Sequence, residues 1–408
     1  MNKKVRLIFA GIIGNVIEYY DFALIGFLAS IIGSLFFPST DHFLSLLGSF
    51  GAFAAGMIAR PLGAVFFGHI GDKINRKYAL FGSLILMAMP TFLIGFLPTY
   101  AQIGILAPIL LVLLRLVQGF SVGGEYASSI VYLVEEAPSR RQNLYGSFVS
   151  LGAKLGMTIG SAFYGFLLMS FGESWMMDWG WRVPFLASLV LAIIGLLLRN
   201  GLEDHYVSQK EDKIPFVEIL RHYPHMVWHY FVIASAIWML YYTLFIYLPT
   251  WLHEYVHIEK TLVSTLNTYS IALGVVSIPV MAYIADKVGS VKVMRISAYA
   301  IVILIVPIFY LLEIENFVLQ VMAISIMTIL LCAFQAPIFA TLVNALKEHK
   351  YRASFTAIIL GSAAGIVGGM TPALMATAVK FSKMVEIPSI FILLMAIASL
   401  HSMQKITK

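Results

Sequence analysis

About twelve apolar runs follow one another along the chain, each near the ~20 residues a helix needs to cross the hydrocarbon of a bilayer. They fall near 7 to 36, 45 to 69, 78 to 97, 104 to 133, 143 to 171, 182 to 199, 226 to 250, 262 to 285, 293 to 312, 317 to 342, 353 to 378 and 387 to 403. With 60% hydrophobic and 12% charged residues, such a chain reads as an all-α membrane protein. The first run starts basic but is too long for a cleaved signal peptide and carries Glu18 and Asp21, so it is expected to stay as the first span. A single cysteine, Cys332, excludes an internal disulfide and any multi-cysteine metal site, and no cofactor is expected.

Loop charge orients the spans, because cytoplasmic loops collect Lys and Arg. With the N-terminus inside, Lys3, Lys4, Arg6, Lys73, Arg76, Lys77, Arg140, Arg141, Lys287, Lys292, Arg295, Lys347, Lys350 and Arg352 all fall on the cytoplasmic side. Only Lys260, Lys380 and Lys383 fall in outer loops, with Arg182 at the outer edge of the sixth span. The net charge of +6 thus reports topology and not nucleic-acid binding. The expectation is a monomer in a bacterial inner membrane, with both termini cytoplasmic and only lipid, protons and a small solute as partners.

The longest polar interval, 201–225, reads as a cytoplasmic linker between six-helix bundles at 1–200 and 226–408. Three landmarks recur across it. "GDKINRK" (71–77) follows the second run and "ADKVGSVK" (285–292) the eighth; Gly152, Gly156 and Gly160 match Gly361, Gly365 and Gly369; Pro184 matches Pro388. The steadily shrinking offsets fit two pseudo-symmetric repeats, an arrangement that puts a solute path near the midplane between halves. The glycine stripes predict close helix packing. In the first loop Gly71 and Asn75 suit a tight turn, while Asp72 can cap the next helix or pair with a cation.

These motifs resemble a family. "GHIGDKINRK" (68–77) is similar to the loop signature between helices 2 and 3 of the major facilitator superfamily. "RLVQGFSVGGEYASS" (115–129), "GNVIEYYDF" (14–22), "RPLGAVFFG" (60–68), "GWRVPF" (180–185) and "YLPTWL" (247–252) resemble its metabolite:proton symporter branch, which includes proline/betaine and 2-oxoglutarate permeases. Lys73 and Asn75 depart from the loop signature, as does Ser290 in the second copy. The resemblance implies two six-helix bundles, alternating access, and a gate at Gly71, Asp72, Arg76, Lys77 and Asp286, with Arg60 close by. Osmosensing members of that branch carry a C-terminal coiled coil; no heptads follow the last run here, so control of that kind is not expected.

Six charges lie inside predicted spans: Glu18, Asp21 and Glu125 against Arg60, Arg115 and Lys154. Intramembrane charges are expensive and either pair or work. Arg60 and Glu125 suit ion pairs that hold the bundle, although Glu125 is also a candidate proton carrier. Glu18, Asp21, Arg115 and Lys154 suit function. A carboxylate in low dielectric takes up a proton readily, a nearby cation opposes this, and arrival of a solute links the two equilibria. The expected division of labour gives Asp21 or Glu18 the coupling proton and Arg115 or Lys154 the solute carboxylate, the arginine through its bidentate fork. Asn15 and Gln118 share faces with these groups, and Ser147, Ser150, Lys154, Thr158 and Ser161 form a polar stripe on the fifth span.

The second half offers Tyr241, Tyr242, Gln335, Tyr247, Asn267 and Asn344 instead of charge. Tyr241 and Tyr242 suit an aromatic wall for an ammonium head. The function expected is proton-coupled import of a zwitterion such as proline or betaine, or of an organic acid such as 2-oxoglutarate or citrate. Solute/proton antiport is the main rival. "HEYVH" (253–257) raises a remote one, an intramembrane zinc protease, but it sits past Pro249 with no third ligand in view.

Overall fold

A computed structural model describes residues 3–40, 42–200, 215–346, 351–382 and 384–406. Every regular element in this range is helical. Ten stretches are long and apolar enough to cross a membrane, and Gly11–Phe27 with Ala29–Phe36, bent by 68°, makes an eleventh. The 32-residue helix His42–Lys73 covers the second run of the sequence. The helices are numbered as spans in chain order: 1 (Lys3–Phe27, bent into Ala29–Phe36), 2 (His42–Lys73), 3 (Arg76–Ile94), 4 (Leu106–Glu135), 5 (Gln142–Trp175) and 6 (Arg182–Arg199). After the short helix Pro215–His222 come 7 (Pro224–Tyr242, continuing to Glu254), 8 (Lys260–Val288), 9 (Ser290–Glu313), 10 (Phe317–Gln335 with Ile338–Val343), 11 (Arg352–Ser362, continuing to Ser382) and 12 (Ile387–Ile406). Residues 201–214 of the expected linker lie outside the described range.

Contacts divide the chain into two compact units, Met1–Tyr132 with Leu151–Asp212, and Leu133–Ser150 with Lys213–Lys408. The segment Leu133–Ser150 thus clusters with the second unit, although it precedes the sequence midpoint. Large apolar side chains such as Ile58, Leu62, Met169 and Ile303 are exposed, as lipid-facing positions should be.

In the first unit the glycines of span 5 do what their spacing predicts. A Cβ on Gly156 would lie 2.2 Å from the Val16 carbonyl oxygen, so spans 1 and 5 touch backbone to backbone. Spans 2 and 4 cross just as closely, where a Cβ on Gly123 would meet the Arg60 carbonyl oxygen at 2.0 Å. This crossing fixes where the Arg60 and Arg115 side chains leave their helices. In the second unit Gly289, at φ +108°, is the one-residue hinge between spans 8 and 9, a conformation that excludes most side chains.

In the loop signature the capping alternative for Asp72 is not the one adopted. Gly71 and Asp72 belong to the last turn of span 2, and the cap of span 3 is Asn75, whose side chain accepts from the Lys77 and Tyr78 N–H groups. Asn is simply better placed, one residue before the helix, than an Asp still inside the preceding one. The Arg76 side chain lies outside the described residues.

Candidate functional site

The first unit gathers its intramembrane charges into three acid–arginine pairs. Span 1 is packed so tightly against its neighbours that Asn15, Glu18 and Asp21 are all buried. Asp21 meets Arg115 of span 4 through two N–H groups, at 2.7 and 3.5 Å, and accepts a third hydrogen bond from Gln118 at 3.2 Å. Gln118 also donates to Thr91 of span 3, so one network joins spans 1, 3 and 4. The bidentate fork foreseen for a solute carboxylate is thus occupied by a carboxylate of the protein itself.

Glu125 lies ten residues beyond Arg115 on span 4 and is wholly buried. It accepts from Ser83 at 2.5 Å, from Ser129 at 2.9 Å, and from both terminal nitrogens of Arg199, one at 3.1 Å. Arg199 in turn donates to the Leu80 carbonyl. A Cβ on Gly14 would collide with the Glu125 carboxylate and the Arg199 guanidinium, so only glycine lets span 1 close over this pair. Arg199, the last residue of the sixth predicted run, is not among the charges that the sequence singles out inside the spans. It ends an apolar run, and its long side chain turns back into the bundle instead of outward.

Glu18 is the third acid and differs from the others. Its carboxylate lies 3.5 Å from Arg60, as an ion pair, yet among the described residues neither oxygen accepts a hydrogen bond. The Asn15 and Gln118 side-chain oxygens, also buried, have no hydrogen-bond partner among the described residues either. Lys154 is buried on the polar stripe of span 5, in company with Ser147 and Ser150, whereas Thr158 is exposed.

The second unit presents rings where the first presents charge. Tyr241 and Tyr242 are buried and join Trp238 and Phe245, with centroids 5.3 Å apart for Trp238 and Tyr241 and 4.9 Å for Tyr241 and Phe245. Immediately beyond Tyr242 span 7 widens into a π segment, Thr243–Tyr247, which carries Phe245, and span 11 does the same at Ala363–Gly368. The Tyr242 ring and Trp238 pack where a Cβ on Gly368 would stand. Such π segments favour functional positions, and no sequence pattern announced them. Gln335, Ser235 and Thr356 each bury a polar side-chain oxygen with no hydrogen-bond partner among the described residues.

Of the gate residues, Asp286 has a defined task. It accepts from the Asn143 and Leu144 backbone N–H groups at 2.9 and 3.0 Å, and from the Asn143 side chain at 2.8 Å, capping the start of span 5 from span 8. Ser290, a departure from the family signature, donates to Asn143 at 3.0 Å.

The zinc-protease alternative fails on local geometry. The helix stops at Glu254, and His257 lies beyond it at φ +62°, so the two histidines do not share a helical face. His253 instead contacts the Ile258 carbonyl at 3.0 Å. Among the described residues no group of three metal-binding side chains exists.

Comparison with known proteins agrees with this architecture. The chain is 31% identical to the proline/betaine transporter of Escherichia coli K12 over 97% of its own length and 82% of that protein's. It is 35% identical to a putative proline/betaine transporter of Staphylococcus aureus COL over 91% of its length and 81% of that protein's. Its fold resembles the proton:xylose symporter XylE (TM-score 0.79, 14% identity, covering 98% of this chain and 95% of XylE). A bacterial homologue of the iron transporter ferroportin is similar too (TM-score 0.73, 12% identity, 97% and 99% coverage). Residues 11–372 match the Major Facilitator Superfamily, and the chain therefore belongs to that family, as a membrane transporter of small molecules and not an enzyme.

Proposed function

We propose that the protein imports a zwitterionic solute of the proline/betaine class together with protons, by alternating access. The observation that carries this reading is Glu18, a buried carboxylate beside Arg60 whose oxygens accept no hydrogen bond among the described residues. A proton arriving there removes a poorly solvated charge without breaking a hydrogen-bond network. That is what a reversible carrier requires, and a solute that alters the local field then becomes linked to the proton by a coupling free energy. Asp21 and Arg115 form the second element, in which the solute carboxylate competes with Asp21 for the guanidinium, with Lys154 as a further cation.

The second unit contributes Trp238, Tyr241 and Tyr242, whose ring faces attract an ammonium head, and the Gln335 side chain for polar contact. The charged pairs of the first unit and the rings of the second, each taken by itself, suit one end of a zwitterion. The relatives named proline/betaine transporters support the same class. An organic acid is the second reading, favoured by the cations Arg115 and Lys154, and it requires Glu18 or Asp21 to be protonated.

Uptake into proteoliposomes of labelled proline, betaine, 2-oxoglutarate and citrate, each with and without an acid-outside gradient, tests the proposal. Accumulation of proline or betaine only with the gradient is expected. Gradient-driven expulsion would instead establish antiport, and unimpaired acid-driven uptake by both Glu18→Gln and Asp21→Asn would remove the coupling assignment.

A further inference from the structure

We propose that a hard divalent cation binds at the end of span 9 that loop charge assigns to the outer face, held by the carboxylates of Glu313 and Glu386 and the amide oxygen of Gln320. Trp251 of span 7 draws the two acids together. Its ring meets that of Phe309 at 5.1 Å, one helical turn before Glu313 on span 9, and its indole N–H donates to the Val385 carbonyl at 2.8 Å, next to Glu386. The Glu313 and Glu386 charges are within electrostatic reach of each other. Neither carboxylate forms an ion pair or accepts a hydrogen bond among the described residues, and Glu313 Oε1 is buried.

Gln320, near the start of span 10, turns an acidic pair into a site. Its side chain is 2% exposed, and its Nε2 donates to the Ile314 carbonyl at 3.0 Å and to the Leu312 carbonyl at 3.5 Å, the residues on either side of Glu313. Those carbonyls fix which way the amide faces, since an oxygen turned toward them would be repelled. Oε1 is therefore held at the Glu313 turn, buried and with no hydrogen-bond partner among the described residues. Oxygens without a donor cannot satisfy one another, and the last turn of span 9 adds the negative end of a helix dipole to the same place. Two carboxylates and an amide carbonyl, with water completing the shell, are the donors that Ca²⁺ takes.

Terbium luminescence of the full chain in uncharged detergent reads the site, because Trp251 stands beside it as a sensitiser. After treatment with EDTA, added Tb³⁺ should give a saturable signal on tryptophan excitation that Ca²⁺ displaces, with a Kd for Ca²⁺ of roughly 10⁻⁴–10⁻³ M, the range of external modules. Glu313→Gln and Glu386→Gln should each weaken binding ~10-fold, because affinity follows the charge count of the ligands. Without metal, each variant should melt no lower than the native protein, since a like-charge contact is relieved, and each should lose the rise in melting temperature that Ca²⁺ gives the native chain. Glu173→Gln, an exposed acid in the first unit, should change neither reading. Absence of a saturable signal, or an equal loss in Glu173→Gln, would overturn the proposal. So would a melting temperature that rises on acidification in EDTA but not with Ca²⁺, which would show that the two carboxylates share a proton instead.

Discussion

Glu125 and Glu18 are both buried carboxylates facing an arginine inside the same six-helix unit, yet their surroundings differ in kind. Glu125 is saturated: two serines and both ends of the Arg199 fork donate to it, and Gly14 lets the backbone seal the pair. Glu18 has its ion pair and no hydrogen bond among the described residues. Burial alone therefore does not mark a working acid. This difference is why the coupling role proposed above is given to Glu18 and not to Glu125.

The largest effect that separates the two sites should come from Arg199→Gln, which strands the Glu125 charge and should cost about 3–5 kcal/mol of stability. It would appear as lost yield and a lower melting temperature in detergent, with partial recovery when Glu125→Gln is added. A single variant that melted like the native protein would reduce the clamp to an ordinary contact. Glu18→Gln should do the reverse. It should melt normally but lose gradient-driven accumulation by ~10-fold or more, while solute exchange without a gradient survives. Full accumulation by this variant would move the proton to Asp21.

Smaller effects sharpen the same contrast. Tyr242→Leu should raise the KM for betaine about 5-fold, the equivalent of losing roughly 1 kcal/mol of cation–π attraction, and also lower the melting temperature, because the ring is buried against Trp238. An equal rise for citrate would show that the ring acts by packing. Ser129→Ala removes one donor from Glu125 and should lower stability by ~1 kcal/mol without touching coupling. A new pH dependence of uptake in that variant would mean that Glu125 also titrates during transport.

Much of this was legible beforehand, for reasons that differ element by element. The apolar runs and the glycine stripe of span 5 were readable because hydropathy and close packing leave local signatures, and Gly156 indeed meets the backbone of span 1. The identity of the acids was readable because charge inside an apolar run is conspicuous. Their partners were not, since pairing joins residues up to 97 positions apart, as between Asp21 and Gln118. Arg199 was missed because a cation at the end of an apolar run looks the same whether it reaches for water or for Glu125. Asp72 and Asn75 show the same limit on a smaller scale, for a cap depends on where the preceding helix stops. The histidines of "HEYVH" have the spacing of a helical pair, but spacing did not say that the helix ends between them.

The π segments of spans 7 and 11 bear on how any residue-by-residue scan of this protein should be interpreted. Each accommodates an extra residue within the helix, which advances the side chains beyond it by roughly 100° relative to an uninterrupted α-helix. A scan of labelling or activity along span 7 should oscillate with one phase as far as Tyr242 and with a displaced phase from Leu248 onward. Positions seven residues apart across Thr243–Tyr247, such as Tyr241 and Leu248, are thus not on one face, and a solute-lining residue near Leu248 would be assigned to the lipid side by anyone counting in ordinary helical turns.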